Sequence, residues 1–208
     1  LLNLITRVAE DGRLSRVLPR LNRNRLVSLT EVSEDESLSD TEALLKRLRI
    51  TAVVGNGHNL GLEKKIDLFV SNNTLEHIPS AALREIFLEF SRLSSADAVM
   101  SHFIDLSDHY ANFDKTISPH NFLKFSDFTW RIFNNSVHFQ NRLRISDFKK
   151  IQREAGFGVV MEETAKTGVD IKDVALAERF RDYPESELLA THSWLVSKLE
   201  REINPAKV

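Results

Sequence analysis

Apolar residues in this chain follow two spacings, and the changes between them mark its elements. Leu1, Leu4, Ile5 and Val8 fall at i, i+3, i+4 and i+7, and Leu14, Val17, Leu18 and Leu21 continue the helical step after Gly12. Residues 31–40 are acidic and Ser-rich and read as a solvated loop. Ser39, with Glu42 three residues on, is a capping-box start for a helix carrying Leu44, Leu45 and Leu48. Ile50–Val54 is a short β-branched run stopped by Gly55, the pattern of a buried strand. Ile66–Val70 predicts a second strand, and Pro79-Ser80 opens a helix with Leu83, Ile86, Phe87 and Phe90 on one stripe. A third strand spans Ala96–Ile104. Ser126 precedes a short helix, Ser146 is placed to cap another that runs to Ala155, and Gly156 stands where a C′ glycine belongs. Gly158–Glu162 and Leu188–Leu199 complete the strands, the last pair joined by a charged excursion over 170–187.

Strands separated by helices predict an α/β fold with a doubly wound, mostly parallel sheet, closed by an antiparallel terminal pair. No convincing linker or internal repeat divides the 208 residues, so a single domain over 1–208 is expected. Composition narrows the function. Lys and Arg number 28 against 30 Asp and Glu, a formal net charge of -2, which argues against a broad phosphate-neutralising surface and hence against nucleic acid. The absence of cysteine excludes disulfides and thiolate chemistry. No apolar run approaches the roughly 20 residues of a membrane span. No signal peptide is evident either, and a cytoplasmic location is expected.

The stretch Ile66-Asp-Leu-Phe-Val-Ser-Asn-Asn-Thr-Leu-Glu76-His77-Ile-Pro79 resembles the middle of class I S-adenosylmethionine-dependent methyltransferases, of the type 11 kind. Members of that superfamily carry a hydrophobic-Asp-hydrophobic strand followed by Leu-Glu-His. Glu154-Ala-Gly156-Phe157 and the final Leu188–Leu199 strand also fall in the family's order. The resemblance runs from about Ile50 onward. It implies S-adenosylmethionine as cofactor and methyl transfer to an oxygen or nitrogen of a small molecule or glycan. The family's glycine-rich cofactor loop does not precede the Leu-Glu-His motif, so the resemblance implies either an N-terminally truncated domain, the reading preferred here, or one that has lost cofactor binding.

Ligands of open α/β sheets bind beyond the carboxyl ends of the strands, and that rule selects the loops to search. Under the resemblance, His58 and Asn59 in loop 55–61 would meet the adenine, and Ser71 and Asn72 the methionine portion of the cofactor; plain turns are the alternative for both. Glu76 and His77 suit acid–base work or ordinary helix-start capping. The densest cluster, His102, Asp105, Asp108 and His109 with His120 beyond, offers a general base: His102 oriented by Asp105 if the strand breaks, with His109 in reserve. No recognised metal-ligand spacing occurs there, and no metal is expected. Residues 105–145 read as a cover over the site with Phe122, Phe125, Trp130, Phe133 and Phe139 in its core, while Arg142 and Arg144 either fix its hinge or grip an anionic substrate. Two other classes stay open: a non-catalytic methyltransferase-like interaction module, and another doubly wound nucleotide-cofactor enzyme using Gly55-Asn-Gly57-His-Asn-Leu-Gly61 as its phosphate loop.

Overall fold

The computed structural model describes residues 7–9, 11–17, 20, 22–34, 40–169 and 171–200. These fall into two compact units, divided between Val54 and Gly55. The first unit holds helices α1 (Arg13–Val17), α2 (Arg23–Glu34) and α3 (Thr41–Arg47). Arg25 on α2 donates from its guanidinium to the Leu48 carbonyl at 2.7 Å, and Val32 and Leu48 are buried. Asp40 caps α3, accepting from the Ala43 N–H at 3.2 Å. The residue expected as cap, Ser39, lies outside the described residues, as do most of the predicted first helix and residues 35–39 of the stretch expected as a loop over 31–40; residues 31–34 of that stretch are instead the last turn of α2.

Ile50–Val54 does not form the expected strand. It has no regular secondary structure and pairs with no described strand, and Ile50, Val53 and Val54 are exposed. A buried strand needs a hydrogen-bonding neighbour and a covering layer, and among the described residues these exposed side chains have neither.

The second unit is an α/β layer. Its strands β1 (Ile66–Asn72), β2 (Ser94–Asp105), β3 (Phe157–Lys166) and β4 (Ala190–Leu199) form one sheet in the order β1-β2-β4-β3. β1 and β2 are parallel, with Leu68 opposite Val99 and Val70 opposite Ser101. β4 runs antiparallel to both of its neighbours. Three strands therefore point one way and the last opposes them, as expected for a mostly parallel sheet with an antiparallel terminal strand.

Helix α4 (Ser80–Leu93) crosses from β1 to β2 with Leu83, Phe87 and Leu93 fully buried. Helix α6 (Ile145–Glu154), which precedes β3, buries Ile145, Phe148 and Ile151. Their stripes meet Phe69, Met100, Ile104, Phe157 and Leu195 from the strands in one core, where Phe69 stacks on Phe90 at 4.4 Å. Each fully buried Leu or Phe contributes about 1.5–3 kcal/mol of transfer free energy. The α6 start differs from the sequence reading: Asp147 accepts the Arg144 N–H at 2.8 Å, while Ser146 bonds the Glu187 carboxylate. Gly156 ends α6 at φ 87°, a conformation that favours glycine. On the opposite sheet face Leu68, Val70, Phe103 and Trp194 are at least part exposed.

Between β2 and α6 the chain builds a second, smaller core. Helix α5 (Asp127–Phe133), capped by Ser126, sets Trp130 against Phe122, Phe180 and Leu188. Phe125 packs at its margin, whereas Phe133 is exposed.

Candidate active site

The carboxyl ends of β1 and β2 lie side by side, so the turns that follow them converge. After β1, Asn73 takes φ 48° and donates its N–H to the Phe103 carbonyl at 2.9 Å. A single 3₁₀ turn, Leu75–His77, then lifts Glu76 and His77 beyond the sheet edge. After β2, Asp105 accepts from the Ser107 N–H and hydroxyl at 2.8 and 2.5 Å, and the chain turns to place His109. Segment 139–141 ties the two turns together. Asn141 donates to the carbonyls of Leu75 and Ile78, both at 2.8 Å. The Gln140 side-chain oxygen accepts the His109 N–H at 3.0 Å, and the Phe139 carbonyl accepts His77 Nδ1–H at 2.8 Å.

Asp105 is the centre of this arrangement. Its Oδ2 lies 3.2 Å from His109 Nε2 and 3.7 Å from His192 Nε2 at the start of β4. Burial works to raise the Asp105 pKa, but hydrogen bonds from His109 and Ser107 outweigh it and hold the carboxyl below its ordinary range. By accepting from the ring, the Asp105 carboxylate raises the His109 pKa against the pull of burial. Glu76 is buried with neither oxygen hydrogen-bonded, and burial raises its pKa. His109 is nearly enclosed, whereas the His192 side chain is 38% exposed and lines two adjacent clefts of about 400 and 320 Å³.

The structure does not pair His102 with Asp105. β2 is unbroken through both, so residues three apart face opposite sides of the sheet. His102 points into the helix-covered core, bonds Ser71 Oγ through Nδ1 at 2.8 Å and stands against Phe87. Burial lowers its pKa to about 4. Asp105 meets the reserve histidine, His109, instead.

Ser71 and Asn72 end β1 at the expected edge, with the Asn72 side chain exposed. His58 and Asn59 do not join them. Loop 55–61 is held along the flank of α4, where Leu60 N–H donates to Glu89 at 3.0 Å and Gly57 lies close against Ile86. No helix follows this loop, which runs into β1, so it lacks the helix N-terminus a phosphate loop requires.

Arg142 and Arg144 are consumed by the fold rather than presented to a substrate. Arg142 donates to the carbonyls of Phe122 and Phe125 and to Asp127, and lies over the Trp130 and Phe180 rings. Arg144, with no exposed surface, donates to the carbonyls of Leu106, Glu187 and Ala190. Asn141, expected with Arg142 and Arg144 at the hinge of the cover, and two residues the sequence did not single out, Gln140 and His192, supply the contacts that assemble the site.

Comparison with known proteins brings in no family: no family model matches the chain, and no curated protein matches it. Solved structures do overlay on it. One is a S-adenosylmethionine-dependent methyltransferase from Clostridium acetobutylicum, 14% identical, with TM-score 0.46 over 81% of this chain and 73% of that one. Another is magnesium protoporphyrin IX methyltransferase from Synechocystis with bound S-adenosylhomocysteine, 12% identical, TM-score 0.41, covering 76% of this chain and 59% of the other. A third is a pericyclic reaction enzyme, 10% identical, TM-score 0.41, covering 77% and 35%. The likeness is one of backbone course. No described helix is long and apolar enough to cross a membrane.

Proposed function

We propose that this domain serves S-adenosylmethionine-dependent methyl transfer to an oxygen or nitrogen of a small molecule or glycan. The observation that carries this reading is the meeting of the Leu75-Glu76-His77 motif with Asp105 and its histidines beyond the carboxyl ends of a parallel strand pair, the edge where open α/β sheets bind ligands. The fit of the described residues to the methyl donor is partial. Asn72, exposed at the strand end, suits its methionine portion, while His58 and Asn59 stand away from that edge. When bound, the donor's sulfonium supplies an electrophilic methyl group, so the protein's share is alignment, exclusion of water and proton handling.

In this reading His192 takes the proton that the acceptor hydroxyl or amine gives up. Asp105 orients the His192 ring and offsets the charge it gains, and the two clefts beside it hold the acceptor. The partly exposed His192 fits this task better than the enclosed His102, because a base has to touch its substrate.

Photolabelling with methyl-labelled S-adenosylmethionine, followed by peptide mapping, tests the reading even if binding is weak. Label confined to 66–77 and displaced by S-adenosylhomocysteine supports it. Label spread over the surface, or not displaced, overturns it.

A further inference from the structure

Glu76 presents a problem that hydrogen bonding within the protein does not solve. Only 3% of the residue is exposed, and neither carboxylate oxygen has a hydrogen-bond partner. A buried carboxylate left this way either keeps its proton or holds a cation. The neighbouring side chains favour the cation. His77 donates Nδ1–H to the Phe139 carbonyl, so in the neutral ring the lone pair sits on Nε2, 3.9 Å from Glu76 Oε1. A metal-binding histidine is held in just this way, its second nitrogen fixed by a carbonyl or carboxylate. His109 arrives from the opposite turn, and one donor atom from each of the three residues lies within 4.8 Å of the others. Ligands about 2.0–2.2 Å from a common ion stand somewhat closer than that, a gap that small side-chain rotations close.

The surroundings hold these donors in place. Asn141 clamps the turn bearing Glu76 and His77, Gln140 fixes the His109 backbone, and Asp105 abuts the His109 ring at 3.2 Å. The His77 side chain is 39% exposed, which leaves a way in and open coordination positions. Two imidazole nitrogens and one carboxylate are the donors of a zinc or non-haem iron(II) site; magnesium and calcium prefer an all-oxygen set. The chain spacing conceals this, because His109 lies more than thirty residues beyond His77.

We infer that Glu76, His77 and His109 form a binding site for one divalent transition-metal ion of the zinc and iron(II) class. The site stands on its own geometry. Its role, holding the acceptor oxygen close to His192, rests on the proposed methyl transfer.

The test uses the 208-residue protein, stripped with a chelator and titrated with Zn²⁺ by calorimetry and with Co²⁺ by visible absorption, without any methyl donor. One equivalent should bind, with cobalt showing the ligand-field bands of a mixed nitrogen and oxygen set. Glu76→Gln and His109→Gln should each weaken binding at least tenfold, and Zn²⁺ should raise the melting temperature of the wild type but not of these variants. His77→Gln, at a part-exposed position, tests the same site with the least risk to folding. Glu63→Gln, at an exposed loop position, should bind like the wild type. Failure of the wild type to bind one equivalent, or wild-type affinity in a folded Glu76→Gln or His77→Gln variant, overturns the inference. Photolabelling by the methyl donor is read separately, so either proposal can fail while the other stands.

Discussion

Arg144→Met replaces a buried guanidinium with an apolar side chain that fills much of the same space. In the native protein this one residue links three segments: the residue after β2 through Leu106 O, the one-turn helix at 185–188 through Glu187 O, and the first residue of β4 through Ala190 O. Removing the donor leaves three carbonyls unpaired in the interior. At about 1–3 kcal/mol each, the loss is about 3–9 kcal/mol. Against this stands the desolvation of the charge itself, which lowers the Arg144 pKa to about 10 and corresponds to about 3 kcal/mol that the variant no longer carries. The difference is a destabilisation of about 0–6 kcal/mol, and the about 3–5 kcal/mol that removing one partner of a buried charged contact costs places the expectation in the upper half of that range. Urea unfolding followed by circular dichroism measures it. Arg144→Lys should recover only part of the loss, because an ammonium lacks the planar fork that reaches three carbonyls. A Met variant within about 1 kcal/mol of wild type, with an unchanged denaturant slope, would refute the assignment of Arg144 to the fold and return it to substrate binding.

Burial holds His102 neutral down to about 4, and burial followed by the Arg144 charge does the same for His120, whereas the unfolded chain takes up protons near 6.5. Stability should therefore be unaffected by these groups above pH 6.5 and fall as pH drops from 6.5 toward 4, by at most about 1.4 kcal/mol per pH unit for each; urea midpoints across that window check it, and His120→Gln should reduce the slope. Trp130→Ala removes a buried ring that bonds Gln140 O at 3.2 Å and supports Arg142, so a loss of about 3–5 kcal/mol is expected in thermal or urea unfolding. His192→Gln should slow single-turnover methyl transfer at least tenfold while photolabelling by the donor persists, since loss of a general base typically costs 10²–10⁴ in rate; an unaltered rate and pH profile would remove His192 from the reaction.

What the sequence disclosed follows from what periodicity encodes. Leu83, Phe87 and Phe90 announce α4 because one helical face meets one core, and Phe69 and Met100 belong to strands because short apolar runs have few other uses. Ile50–Val54 has the same local pattern, but pattern carries no information about whether a neighbouring strand is at hand. The cationic residues misled for a related reason: Arg142 and Arg144 look like anion ligands until the carbonyls facing them are seen. The site was half legible. Asp105 and His109 stood out as a cluster, but pairing His102 with Asp105 required a break that the twelve-residue β2 does not contain. Glu76 and His192 join the same neighbourhood only through the crossing of strands distant in sequence.

The position of β4 has a consequence for how the chain reaches this state. β3 hydrogen-bonds to no described strand except β4, which is also the neighbour of β2 on that side, so the last of the four described strands to be synthesised is the one that joins the sheet. On the ribosome, β1, α4 and β2 can dock as soon as they emerge, since they form a contiguous crossover. β3 then waits with both edges open, and β2 with one, until residues 190–199 are released. Nascent chains halted just short of that point would expose strand edges that invite pairing with other chains. A premature stop before Ala190 should therefore yield aggregates rather than a smaller soluble domain, and refolding of the whole chain should be limited by the late threading of one strand between two others.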